Sequence, residues 1–104
     1  MKTVYWQSSS GMKFEADKTK AHQNLRDHKV PFVKASEVFK DHSRLERPDA
    51  SRDYDEERLI VIGRVEQTVL LVVFTQRGER LRLISARKAN RNEQRTYWTG
   101  DIYA

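Results

Sequence analysis

Residues 58–89 read RLIVIGRVEQTVLLVVFTQRGERLRLISARKA, and this stretch decides the fold. It holds three runs of strand-forming residues separated by short polar breaks. Arg58 to Val65 is rich in β-branched residues, which pack well on a pleated surface. Thr68 to Thr75 is apolar on both faces, the pattern of a strand buried in the middle of a sheet. Leu81 to Ser85 alternates, with Leu81, Leu83 and Ser85 facing one way and Arg82 and Ile84 the other. Arg77-Gly78 suits a tight turn, whereas Glu66-Gln67 is poor turn sequence. The three runs predict a three-stranded antiparallel meander. Ser85 then serves as the N-cap of a C-terminal helix reaching about Thr96. Such a helix sets Arg87, Arg91 and Arg95 on one face, at i, i+4 and i+8. Like charges at that spacing oppose a helix by roughly 0.2–0.5 kcal/mol per pair, so a helix that carries them has a use for them.

Upstream, Lys2 to Trp6 and Met12 to Ala16 read as short strands joined by the flexible Ser8-Ser9-Ser10-Gly11. Residues 1–11 read as an N-terminal extension and 12–104 as a single domain. Asp17 can cap a helix from Lys18 to about His28, with Ala21, Leu25 and His28 as its inward stripe. Pro31 suits the first turn of a second helix to about Lys40, whose apolar face is Phe32, Ala35, Val38 and Phe39. His42 to Glu57 is polar, turns at Pro48-Asp49, and reads as a mobile surface loop. The expected architecture is α+β: two N-terminal helices, an antiparallel sheet of the meander plus one or two short N-terminal strands, and a C-terminal helix. All helices are expected on one face of the sheet.

The chain has 104 residues, enough for one core and one domain. It has no cysteine, which favours a reducing, cytoplasmic setting. Mean hydropathy is −0.84. The longest apolar run, Val69 to Phe74, is far short of the roughly 18 residues of a membrane span, and no secretory leader pattern opens the chain. The net charge of +5 is unevenly placed. Residues 77–95 carry seven basic side chains (Arg77, Arg80, Arg82, Arg87, Lys88, Arg91 and Arg95) against Glu79 and Glu93. Six of the seven are arginine, whose planar fork of donors matches phosphate. A local arginine cluster marks a polyanion as partner; the competing reading is a solvated basic surface. No zinc-ligand spacing, P-loop or dinucleotide-binding glycine motif occurs, and Ser85 has no evident base beside it.

Two stretches then carry a resemblance. The first is Phe14-Glu15-x-Asp17-x-x-Lys20-x-x-x-Asn24-Leu25-Arg26-x-His28-x-Val30-x-Phe32, continuing to Ala35, Val38, Phe39 and Asp41. The second is Glu57-Arg58, Ile62-Gly63-Arg64, Thr75-x-Arg77-Gly78 and Arg82-x-Ile84-Ser85-Ala86-Arg87-Lys88-Ala89, with Glu93 and Tyr97 beyond. From Phe14 to Tyr97 the chain resembles the BrnT family, toxins of bacterial toxin–antitoxin pairs. It departs from that family at Ala16, where an aromatic residue is usual, and at Asp27 and Lys29, where lysine and glycine are common. The resemblance implies a RelE-like domain and a metal-independent endoribonuclease, without cofactor, that inhibits translation. It also implies neutralisation by a BrnA-type ribbon-helix-helix antitoxin, through which alone the pair would meet DNA and repress its own operon.

Metal-independent cleavage needs a base for the 2′-hydroxyl proton, cations for the charge developing at phosphorus, and an acid for the leaving 5′-oxygen. Arg77, Arg82 and Arg87 are the candidate cations. His28 is the candidate for proton transfer, since histidine titrates near neutral pH; packing at a helix end is its alternative. Glu93 could orient an arginine, act as a base, or bridge within its helix. Lys20, Arg58, Arg91, Arg95 and Tyr97 are candidate RNA contacts, and Trp6, Trp98 and Tyr103 could stack on bases. The same residues would also suit a module that binds nucleic acid or protein without cleaving anything.

Overall fold

A computed structural model describes residues 2–50 and 56–102. The chain opens with a hairpin. Strand β1 (Thr3–Gln7) pairs antiparallel with β2 (Lys13–Asp17), with Tyr5 opposite Glu15 and Trp6 opposite Phe14. The serine–glycine stretch between them is the turn itself, closed by Ser8 N–H donating to the Met12 carbonyl at 2.9 Å. Helix α1 (Lys18–His28) follows at once, and the Asp17 carboxylate accepts from the Lys20 N–H at 3.0 Å. Strands therefore precede the first helix, and the expected pair of leading helices is replaced by a hairpin and α1. The second expected helix is broken as well. A single turn, α2 (Phe32–Ala35), tightens into a 3-10 segment, Ser36–Lys40, where the Ser36 hydroxyl donates to the Val33 carbonyl at 2.7 Å.

The supposed surface loop contains a strand. β3 (Leu45–Pro48) pairs with β4 (Leu59–Val65), placing Leu45 opposite Ile62; residues 51–55 of that stretch lie outside the described chain. β5 (Thr68–Arg77) and β6 (Arg80–Lys88) continue the sheet. The result is six strands in the order β1-β2-β6-β5-β4-β3, mixed because β2 runs parallel to β6 through Phe14–Leu81 and Glu15–Arg82. This overturns the expected antiparallel sheet built on a three-stranded meander.

Ser85 and Ala86 do not start a helix; they pair with Val73 and Val72. The long partner strand β5 offers a ladder as far as Lys88, and that pairing overrides the local helical pattern of SARKA. Helix α3 (Arg91–Thr99) begins three residues after the strand ends. Asn90 accepts from the Glu93 N–H and Glu93 accepts from the Asn90 N–H, a reciprocal cap. Arg87 thus sits on a strand and Arg91 and Arg95 on a helix, so the expected single arginine stripe does not form.

The sheet has a core on each side. Leu70, Val72 and Phe74 of β5 join Phe14, Phe39, Val61 and Leu83 beneath α1, α2 and the 3-10 segment. Val69 and Leu71 join Ile60, Ile62 and Tyr97 beneath α3. The two-sided apolarity of Thr68–Thr75 is thereby accounted for, but the helices lie on both faces rather than one.

The inward face of α1 also differs from expectation. Leu25 is 46% exposed and His28 is exposed, while Asn24 is 6% exposed. Asn24 Nδ2 donates to the carbonyls of Val30 (3.0 Å) and Ala86 (2.8 Å), and its Oδ1 accepts from the Ala86 N–H at 3.0 Å. β2 pairs with β6 only near Leu81, so the rest of that edge of β6 needs other partners. Asn24 supplies them as a one-residue substitute for a strand.

Gly63 allows the 3-10 segment to lie against β4. A Cβ there would meet the Val38 Cβ at 3.0 Å and its carbonyl oxygen at 3.3 Å. Gly63→Ala is expected to cost about 1–3 kcal/mol by overpacking, read as a lower urea midpoint with an unchanged slope.

Candidate functional site

On β6, Arg80 and Arg82 are two residues apart and project to the side of the sheet on which α3 packs over β4 and β5. Arg82 lies beside Glu15 across the parallel pair, and its Nη1 donates to the Glu15 carboxylate at 2.5 Å. On its other flank it pairs with Thr75. Arg77, at the end of β5, donates to Glu56 at 3.0 Å, and Arg58, just before β4, approaches the same carboxylate at 3.8 Å. The Thr75 hydroxyl donates to the Glu57 carbonyl at 2.6 Å, which ties the segment before β4 to this row. Farther along β6, Arg87 makes a two-pronged pair with Glu93 of α3, at 2.7 and 2.8 Å.

The structure therefore gathers Arg58, Arg77 and Arg82 at one end of one sheet face and places Arg87 with Glu93 at the α3 end. Four guanidinium groups stand among three carboxylates, those of Glu15, Glu56 and Glu93. Each pair holds an arginine in a fixed direction. An incoming phosphate can take the place of a carboxylate oxygen without the arginine having to search for its geometry.

The Arg87 hydrogen bond, opposed by burial and aided by the Asn90 N–H, holds the Glu93 carboxyl below its ordinary value. The same bond raises Arg87. Glu93 serves here as a support for Arg87 and for the helix start. Its stabilising effect is complete above the unfolded carboxyl's value near 4.5 and is lost as pH falls through the lower folded value. In urea melts, the stability gap between the parent and Glu93→Gln should shrink on going from pH 7 to acid, and Asn90→Ala should cost about 1 kcal/mol at neutral pH.

Lys20 and His28 stand apart from the arginines. Both are exposed on α1, in a shallow pocket with Gln23, Asn24, Asp27 and Ile84. Ile84 lies on β6 between Arg82 and Arg87, where a bulge offsets β6 against Val73 and Phe74. No hydrogen bond among the described residues joins Lys20 or His28 to the arginines. Arg91 and Arg95 are exposed on α3, and Arg95 donates to Asn92 at 3.2 Å. Tyr97 is buried and donates its hydroxyl to Asp41 at 2.6 Å. Burial pushes the Asp41 carboxyl up, but bonds from Tyr97, Arg64 and Ser43 more than offset it, leaving Asp41 below its usual range. Trp6 stacks on Phe14 and donates to Ser36 at 3.0 Å, Trp98 is exposed, and Tyr103 lies outside the described residues.

Sequence reasoning passed over Glu15 as a partner of the cluster. Glu15 alternates with the buried Phe14 and Ala16, so its outward direction was readable; its neighbour across a parallel pair was not. Glu56 lies in an acidic stretch of the sequence next to Arg58, a readable pairing partner for the arginines; residues 53–55 lie outside the described chain. Among the described residues no group of three His, Asp or Glu side chains is placed to hold a metal ion, and no helix is long and apolar enough to cross a membrane.

A family model described as "Ribonuclease toxin, BrnT, of type II toxin-antitoxin system" matches residues 17–93. No curated protein matches the chain.

Proposed function

Because the chain belongs to the BrnT family of ribonuclease toxins of type II toxin–antitoxin systems, we propose that the arginine face is its RNA-cleaving site and that cleavage needs no metal. The observation that carries this reading is the grouping of Arg58, Arg77 and Arg82, with Arg87, braced by Glu93 of α3, farther along β6 from Arg82. The ribose 2′-oxygen attacks the adjacent phosphorus, its proton passes to a base, and the 5′-oxygen leaves with a proton from an acid. A 2′,3′-cyclic phosphate remains on one product. Arg77, Arg82 and Arg87 bear the charge that builds on the phosphoryl oxygens. His28, beside Ile84, is the proton-transfer candidate on α1, and Lys20 in the same pocket is a candidate RNA contact. Arg91 and Arg95 extend the basic surface along α3 for the RNA backbone.

A toxin of this class acts with an antitoxin. In this reading the partner is a BrnA-type ribbon-helix-helix protein that covers the arginine face, silences cleavage and represses the operon as a complex, and the free toxin arrests translation. The carboxylate beside each of Arg77, Arg82 and Arg87 also favours a second reading, in which the arginines are structural and the domain only binds.

The deciding experiment incubates the purified chain with a defined RNA in EDTA. Cleavage that leaves 2′,3′-cyclic ends supports the nuclease. An intact RNA in the presence of folded protein supports the binding module and makes ribosome-dependent cleavage the next assay.

A further inference from the structure

The arginine row does not end at Glu15. Tyr5 of β1 lies directly opposite Glu15, so Tyr5, Glu15, Arg82 and Thr75 form one line across four adjacent strands. Tyr5 is 61% exposed, one of the largest apolar surfaces left open on the described residues. The Arg80 guanidinium sits 4.8 Å from the centre of its ring and is anchored there by donating to the Phe14 carbonyl at 2.8 Å. An aromatic ring beside a fixed guanidinium, next to a row of arginines, has the two elements that hold single-stranded nucleic acid: a stacking surface and a cationic track. Two interstrand steps of about 4.8 Å separate Tyr5 from Arg82, so a base at Tyr5 belongs to a nucleotide close to the one whose phosphate sits at Arg82. β1 lies outside the family-matched segment 17–93.

We propose that Tyr5, with Arg80, is a nucleobase-stacking subsite that seats single-stranded RNA next to the arginine face. This rests on the reading of that face as the RNA site and extends it to a strand the family match does not include. The ring stacks on a base through its π face, so Tyr5→Phe and Tyr5→Trp should keep the function and Tyr5→Ala should lose it. Tyr5 is exposed on an edge strand, so all three variants should melt with the parent.

The test uses the full chain and two probes of one sequence: a 2′-O-methylated single-stranded oligonucleotide, which lacks the nucleophile, and its cleavable RNA form. Tyr5→Ala should weaken binding of the methylated probe roughly tenfold or more, the effect of one stacked base. It should raise KM for the RNA by a similar factor with little change in kcat. Probes carrying a single abasic position should reveal one site whose loss weakens the parent but not Tyr5→Ala. Equal binding of all probes by parent and Tyr5→Ala would overturn the proposal, as would a parent that binds no RNA. If Tyr5→Ala instead weakened only the hold on the antitoxin, the ring would be a protein contact and the proposal would fall. A parent that binds the probe through Tyr5 but cleaves nothing would keep the subsite and remove the nuclease reading.

Discussion

Arg82→Ala should lower RNA cleavage by roughly 10²–10³-fold, the usual loss when a preorganised charge-stabilising donor is removed. Arg82 is only 16% exposed and its partner Glu15 only 13%, so the pair works in a setting drier than the surface, where charge interactions are felt strongly. The same burial confounds the single variant. Taking away the arginine leaves a largely buried carboxylate without its counter-charge, which destabilises the protein for reasons unrelated to catalysis. The double variant Arg82→Ala/Glu15→Gln removes that charge. Its melting temperature should return toward the parent's while its cleavage rate stays low. Arg82→Lys should lie between, because a lysine keeps the charge but loses the planar fork. A folded Arg82→Ala protein that cleaves at the parental rate would remove Arg82 from the site.

The second large effect concerns the fold. Asn24→Leu is close in size but makes none of the three hydrogen bonds that Asn24 makes to Val30 and Ala86. Three buried backbone groups lose their partners, at about 1–3 kcal/mol each before relaxation. The expected loss is on the order of 3–5 kcal/mol, a large share of the roughly 5–15 kcal/mol that holds a typical domain together. Asn24→Asp keeps an acceptor for the Ala86 N–H but sets a buried carboxylate oxygen against the Val30 and Ala86 carbonyls without a counter-charge, so at neutral pH it should be at least as damaging as Asn24→Leu. Urea unfolding measures all three. A loss below about 1 kcal/mol for Asn24→Leu would show that water replaces the side chain at this seam.

The sequence was most legible where the signal was local. The Asp17 cap and the extent of α1 follow from a short polar residue before a helical stretch. The double-sided burial of β5 follows from an unbroken apolar run. Legibility failed where a distant partner chose between two local options. SARKA can form either a helix or a strand, and β5 on one side with Asn24 on the other make it a strand. Leu25 looks like a better core residue than Asn24, and only the unpaired edge of β6 makes the asparagine the buried one. The hairpin turn at Glu66 forms against its sequence, with φ of 55° and an ion pair to Lys34. Around the arginine cluster, Glu93 was readable as an arginine's partner, whereas Glu15 required the sheet order.

The Glu15–Arg82 contact spans 67 positions of the chain, and this sets a schedule. A polypeptide made from its N-terminus exposes the β1–β2 hairpin and α1 first, but these wait for β6 before they can dock. Contacts between distant positions form late because a long loop must close first. Glu15 meets Arg82, and Asn24 meets Ala86, only after residue 88 has left the ribosome. Until then the arginines have no rigid frame, and the growing chain carries no assembled arginine face into the machinery that is making it.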